Sequence, residues 1–196
     1  LLNLLTDYSN GMTNKSYQEL YPGNDIDPTA VIYPGVVMGT GNIIGPYCII
    51  GAPPEWKGKE YYYGKVVIGN NNRFTGLVTI DSGAENTTQV ADNCYLMKHS
   101  HIGHDVVLSN NVTLSCGVKV GGHTIVGEHT TVGLNAVIHQ KLWIPYGCMI
   151  GMGSVVTKKL DLRAGCKYAG NPAKYIGDND AHLPTYLIDR KQFPGE

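Results

Sequence analysis

From Val90 to Val156 an aliphatic residue stands at every sixth position, through Leu96, Ile102, Leu108 and on to Ile144 and Ile150, twelve positions without a break. Six residues is not a whole number of 3.6-residue turns, so an α-helix would rotate this set out of phase, and the step is not a heptad either. Shorter stretches keep the same six-residue step: Ile26, Ile32, Met38, Ile44 and Ile50, then Ile68, Phe74 and Ile80. The fifth residue of each hexad is small or β-branched, as at Ala30, Cys48, Ser100, Thr124 and Ser154, and the second is often glycine, as at Gly103, Gly121, Gly127 and Gly133. Each hexad therefore reads as a short strand followed by a tight corner, with the aliphatic inward and glycine tolerating the corner geometry. Three hexads make one 18-residue triangular coil, and coils stack about 4.8 Å apart through backbone hydrogen bonds. The predicted fold class is all-β, a single-stranded parallel β-helix.

Two segments interrupt the phase. Between Ile50 and Ile68 lies a stretch, residues 52–65, rich in proline and tyrosine. Its flanking aliphatics are 18 apart, so it reads as a protruding loop replacing most of the faces of one coil. Between Ile80 and Val90 the spacing is ten, four more than a hexad, so residues 81–89 bulge. The expected organisation is an N-terminal arm over 1–24, polar and unpatterned, a β-helix over 25–157, and a closing segment and tail over 158–196, irregular or partly helical.

Composition narrows the partners. A formal net charge of -1 offers no argument for a nucleic-acid partner. No apolar run approaches the roughly 18 residues of a membrane span. The opening Leu1–Leu5 run is too short for the apolar region of a signal peptide and lacks a basic lead, so the expected location is the cytoplasm. The five cysteines contain no CxxC pair, and Cys48, Cys94 and Cys148 share the small fifth position, where buried inert thiols are expected.

The chemistry concentrates in histidine. His104 and His123 are one coil plus one residue apart, and His104 and His139 two coils minus one, so the 18-residue ruler stacks them near one edge of the prism. His101 precedes His104 on the same corner, and none of the four holds an inward aliphatic position. Histidine is the natural general base near neutral pH. Acyl transfer from a thioester needs such a base and an N–H donor for the tetrahedral oxyanion; the backbone of Gly122, beside His123, offers one. Stacked imidazoles can also bind zinc, and His99 and His104 have the five-residue spacing of ligands in β-helix carbonic anhydrases. A β-helix can equally be an assembly scaffold, which would leave the histidine edge without a role.

The run His101-Ile102-Gly103-His104-Asp105, with Gly122-His123 and His139-Gln140 following at fixed spacing, resembles the UDP-N-acetylglucosamine O-acyltransferases of lipid A synthesis, within the hexapeptide-repeat acyltransferases. The resemblance covers about residues 26–175 and implies left-handed coils and a homotrimer with sites between subunits. It implies His104 as general base, Asp105 as its orienting partner and the Gly122 N–H as oxyanion donor. His101, His123, His139 and Gln140 would line the sugar and pantetheine cleft. No tightly bound cofactor or metal is implied; acyl carrier protein or coenzyme A brings the acyl group as a thioester, and the acceptor is a nucleotide-linked sugar. Trp56, with Glu55 adjacent, stands where the family has a sugar-binding aspartate. Met152 stands where a small residue admits a long acyl chain, which implies a shorter one. Gly170-Asn171-Pro172-Ala173-Lys174 is similar to the closing segment of acetyl-CoA-dependent sugar acetyltransferases, and acetylation of a nucleotide-linked amino sugar is the alternative reading. Lys57, Lys59, Lys141, Lys158, Lys159 and Arg163 are candidates for a basic patch facing the acidic carrier protein, and Arg190 and Lys191 for phosphate contacts.

Overall fold

The computed structural model describes residues 14–58, 63–179 and 184. The chain winds as a left-handed parallel β-helix with three faces, sheets of nine, seven and six strands among the described residues. Nearly every strand is a residue pair such as Tyr95–Leu96, His101–Ile102 or Val107–Leu108, one on each face in turn. Register is the 18-residue step itself: Leu96 pairs with Leu114, Ile102 with Val120 and Leu108 with Val126. The His101 N–H donates to the Val118 carbonyl at 2.8 Å and the Gly103 N–H to the Val120 carbonyl at 2.9 Å, a pattern repeated from coil to coil. The inward aliphatics from Val90 to Val156 and the small fifth-position residues are buried. They fill one column of core along the axis.

The corners obey a different rule from the expected one. The left-handed backbone falls on the fourth residue of the hexad: φ is near +60° at Asn93, His99, Asp105, Asn111, His123, His129 and Asn135 and is positive at Gly35, Gly41, Gly117, Gly147 and Gly153, whereas among the described second-position glycines only Gly51 adopts it. Asn, Asp and His are the side chains that tolerate this region best. Glycine at the second position answers a packing need instead. A Cβ on Gly127 would stand 2.5 Å from the Tyr146 nitrogen, one on Gly121 2.6 Å from the Gln140 nitrogen. The neighbouring coil leaves no room there.

Residues 52–65 do not replace a coil. Ile50 pairs with Ile80, a separation of 30, and Met38 with Ile68. Ile50 and Ile68 thus belong to consecutive faces of one coil, and twelve extra residues leave from the single corner between them. Ile80 pairs with Ile102 at a separation of 22, which puts the four extra residues of 81–89 on the same edge. Both insertions rise from the junction of the second and third faces.

The ends are capped by tyrosine. In the arm expected to be unpatterned, Asn14–Leu20 is helical, and Tyr17 is buried over the first coil with its hydroxyl donating to the Ala30 carbonyl at 2.7 Å. At the other end residues 158–165 are irregular, and the closing segment then forms a β-hairpin that the sequence did not predict. Cys166–Gly170 continues the first face parallel to Met149–Ile150 and pairs antiparallel with Ala173–Asp178. Tyr168 takes the inward position in register with Ile150 and is fully buried, which is why the repeat's sequence pattern ends while its core does not. The rest of the tail lies outside the described residues. None of the described helices is long and apolar enough to cross a membrane.

If second-position glycines serve coil contact, Gly127→Ala should lower stability by about 1–3 kcal/mol, the usual cost of overpacking. Urea denaturation measures it; an unchanged midpoint would contradict the packing assignment.

Candidate active site

The edge between the second and third faces gathers the chemistry. The strand His101–Ile102 brings His101 up the second face, and the corner that follows carries His104 and Asp105. One coil on, the same corner carries Gly122 and His123. The His104 Nδ1 lies 2.8 Å from Asp105 Oδ2. The His104 and His123 rings meet edge-on with centroids 5.0 Å apart. Trp56, at the base of the long loop, lies over His104 at 5.1 Å and against His123 at 6.0 Å.

Asp105 is the fixed point of this group. Its side chain is only 1% exposed. Oδ1 accepts three successive backbone N–H groups from the bulge, those of Ala84 at 3.1 Å, Glu85 at 3.0 Å and Asn86 at 2.5 Å. Its own N–H donates to Thr88 Oγ1 at 2.8 Å. Burial alone would raise the carboxyl's pKa, but the His104 hydrogen bond and the Asn86 and Glu85 N–H groups outweigh it and hold Asp105 below the ordinary carboxylate value. Consecutive N–H groups converging on one oxygen form an anion nest. The bulge at 81–89 is thus the anchor of Asp105. A fixed carboxylate opposite Nδ1 holds the proton on that nitrogen and leaves Nε2 with its lone pair.

Gly122 is the floor beneath His104. A Cβ there would come within 2.8 Å of both Cε1 and Nε2 of the ring, although the backbone is in no unusual region. The Gly122 carbonyl accepts from the Lys141 N–H at 2.8 Å, while its own N–H makes no hydrogen bond among the described residues. His123 Nε2 is buried with no hydrogen bond among the described residues, 3.5 Å from Asp105 Oδ2 and 3.9 Å from Glu85 Oε2.

A second pair lies beside the first. His101 Nδ1 is 2.8 Å from Thr79 Oγ1, and its Nε2 is 3.8 Å from Asp81 Oδ2. Asp81 is buried, and desolvation raises its pKa to about 7, partly countered by the Glu55 N–H. Burial lowers the pKa of His101, which favours the neutral imidazole. Thr79, Asp81 and Glu85 were not picked out in the sequence. Adding the four-residue bulge to one coil puts Thr79 in register with His101, and that corrected spacing is the signal that points to them.

Other candidates lie elsewhere. His139 is exposed one coil further along the edge, its Nδ1 2.9 Å from the Gln140 carbonyl, and neither it nor Gln140 contacts the His104 group among the described residues. Glu55 is exposed and reaches the site electrostatically, through Asp81 and His101. Met152 is 73% exposed on the edge between the first and second faces, across the second face from His104. His99 is on that same edge, so the five-apart pair of the zinc reading is divided between two edges. His104, Asp105 and His123 have ligand-type atoms within 4.8 Å of one another, but the 2.8 Å contact between two of them has the length of a hydrogen bond. Lys141, Lys158 and Lys159 continue the site edge and are exposed, and Lys57 is exposed in the loop. Arg163 packs over the Tyr175 ring at 4.9 Å. Lys59, His182, Arg190 and Lys191 lie outside the described residues.

A carboxyl with a pKa near 7 when folded and about 3.9 when unfolded binds its proton more tightly in the native state. Its contribution therefore favours folding below about pH 4 and declines as pH rises to about 7. Asp81→Asn should remove that decline, so that its unfolding free energy gains on the wild type across this interval; parallel pH profiles would contradict the assignment.

No protein-family model matches the chain. The chain is 40% identical over 148 residues to a curated acyl-[acyl-carrier-protein]–UDP-N-acetylglucosamine O-acyltransferase of Campylobacter lari, covering 74% of this chain and 56% of that protein. It is 36% identical over 157 residues to its Helicobacter pylori counterpart, covering 79% and 57%. The chain thus spans about half the length of the curated relatives it matches. Among solved structures, a UDP-N-acetylglucosamine acyltransferase from Bacteroides fragilis superposes with a TM-score of 0.74 at 28% identity, over 88% of this chain and 66% of that one. Along its β-helix, the chain is thus similar to the UDP-N-acetylglucosamine O-acyltransferases.

Proposed function

We propose that this protein transfers an acyl group from a thioester carrier to a UDP-linked sugar, with His104 as general base. The observation that carries the reading is the hydrogen bond from His104 Nδ1 to an Asp105 carboxylate pinned by three backbone N–H groups. That pairing leaves Nε2 to take a proton from an attacking hydroxyl or amine. As the new bond to the carbonyl carbon forms, negative charge develops on the carbonyl oxygen, and the Gly122 N–H, which makes no hydrogen bond among the described residues, is a donor for it. Collapse expels the thiolate, which recovers the proton from His104. His101, His123, Glu55 and Trp56 surround the base and would hold the sugar, with His139 and Gln140 further along the edge.

The relatives' names specify an acyl carrier protein donor and a UDP-N-acetylglucosamine acceptor, and we assign the same substrate classes here. The exposed Lys141, Lys158 and Lys159 on the site edge suit an acidic carrier protein. The alternative donor, acetyl coenzyme A, is favoured by the Gly170–Lys174 hairpin turn and by Met152, whose bulk would shorten the acyl chain. Met152 and His104 stand on different edges of one chain, so a homotrimer that sets edges of neighbouring subunits together is part of the proposal. A cytoplasmic location is also proposed.

His104→Ala should lower kcat/KM by about 10²–10⁴-fold, the usual worth of a positioned base, with the variant still folded. The assay pairs UDP-N-acetylglucosamine and amino-sugar analogues with acetyl-CoA and with acyl carrier protein thioesters of several lengths. Undiminished turnover in the variant would overturn the assignment.

A further inference from the structure

Proton uptake by His104 creates a charge that Asp105 meets at a single atom, Nδ1, at 2.8 Å. An imidazolium spreads its positive charge over the whole ring, and this ring is largely withdrawn from water, its side chain 12% exposed. Trp56 covers it. The centroids of indole and imidazole are 5.1 Å apart and their planes are tilted by only 31°, so the two rings meet offset and face to face. His123 stands edge-on to both, 5.0 Å from the His104 ring and 6.0 Å from the indole. The indole is also well braced. Pro53 and Pro54 fix φ in the residues leading to it, and Pro54 is buried. The Trp56 N–H donates to the Pro54 carbonyl at 2.7 Å, and the preceding Glu55 N–H lies 3.5 Å from Asp81 Oδ2.

An aliphatic cover would disfavour the charged form of a base, because burial penalises the imidazolium. A tryptophan face acts the other way. Its π cloud presents negative charge, and a cation within about 6 Å of the ring centroid is attracted to it, most strongly where water is excluded. We infer that Trp56 is a positioning residue of the reaction and stabilises the His104 imidazolium through the face of its indole. This rests on His104 being the base, as proposed above, and adds the group that supports its charged form.

The charge is transient. It appears as the acceptor proton passes to Nε2 and the new bond to the carbonyl carbon forms. It disappears when the carbon–sulfur bond has broken and the thiolate has taken that proton. The indole itself gives and receives nothing. An attraction to this charge is stronger in the transition state than in the ground state, so it lowers the barrier and shows in kcat. A sugar resting on Trp56 would show in KM instead. The two contributions of the residue are therefore separable by kinetics.

Fluorinated tryptophan tests the inference, because fluorine withdraws negative charge from the indole face and leaves its shape nearly unchanged. The chain has two tryptophans. Trp143, 66% exposed on the third face, is first replaced (Trp143→Phe), so that tryptophans bearing one, two or three fluorines enter only at position 56. With UDP-N-acetylglucosamine and an acyl carrier protein thioester or acetyl-CoA, kcat should fall stepwise, by about tenfold across the series, the scale of a desolvated cation–π contact. KM should change little. Trp56→Phe should keep part of the rate and Trp56→Leu less. A second readout needs no turnover: nuclear magnetic resonance follows protonation of the His104 ring. Its midpoint should move to lower pH with each fluorine, by about one pH unit in all, the same tenfold expressed as an acid–base equilibrium. Asp105, Asp81, His101 and His123 face this ring, with Glu55 and Glu85 beyond them, and all stay the same throughout the series. A midpoint and a kcat indifferent to fluorine, or a change confined to KM, overturn the inference and leave His104 standing as base. A midpoint that moves in a protein transferring no acyl group supports the ring contact and overturns the acyl-transfer reading.

Discussion

The backbone hydrogen bonds between successive coils are what the rest of this structure depends on. They hold one coil on the next at an 18-residue offset, as in the pairings of Ile102 with Val120 and of Val120 with Ile138. Side-chain position in the sequence thereby becomes position in space. His123 follows the stacked equivalent of His104 by a single residue, and their rings meet at 5.0 Å. A β-helix has few long-range degrees of freedom to adjust such a distance. The close stacking also accounts for glycine at Gly121 and Gly127, where a Cβ would stand about 2.5 Å from the next coil's backbone.

That regularity also limits what the scaffold can do alone. A uniform prism presents corners, and a corner gives no buried carboxylate. The two insertions supply what the repeat lacks, and both leave from the edge that carries His104. The four-residue bulge turns three N–H groups onto Asp105. The longer loop lays Trp56 over the imidazole. Asp105 and His123 themselves sit at left-handed corner positions, where side-chain direction follows from the backbone. The site is therefore a repeat edge modified by departures from the repeat.

Much of this was legible in the sequence because period six has one structural meaning. The inward column, the small fifth position and the approach of His104 to His123 follow from counting residues. Three features did not follow. The left-handed corner lies at the fourth position, where Asn, Asp and His share the role with glycine, and not at the more frequent second-position glycines; composition alone does not separate a glycine needed for φ from one needed for space. The 52–65 loop was read against the wrong coil, because an excess of twelve residues is two whole hexads and leaves the phase undisturbed. The Asp81–His101 pair was hidden by the four-residue bulge, which shifts Thr79 and Asp81 out of simple 18-residue register. Insertions defeat a ruler, and here they also make the site.

The central claim is that Asp105 fixes the proton of neutral His104 on Nδ1 and leaves Nε2 as the base. Nitrogen-15 chemical shifts of the His104 ring, recorded at about pH 8 where imidazoles are largely neutral, test it most directly. The account predicts a protonated, pyrrole-type Nδ1 and a bare, pyridine-type Nε2. A pyridine-type Nδ1 with the proton on Nε2 would contradict it.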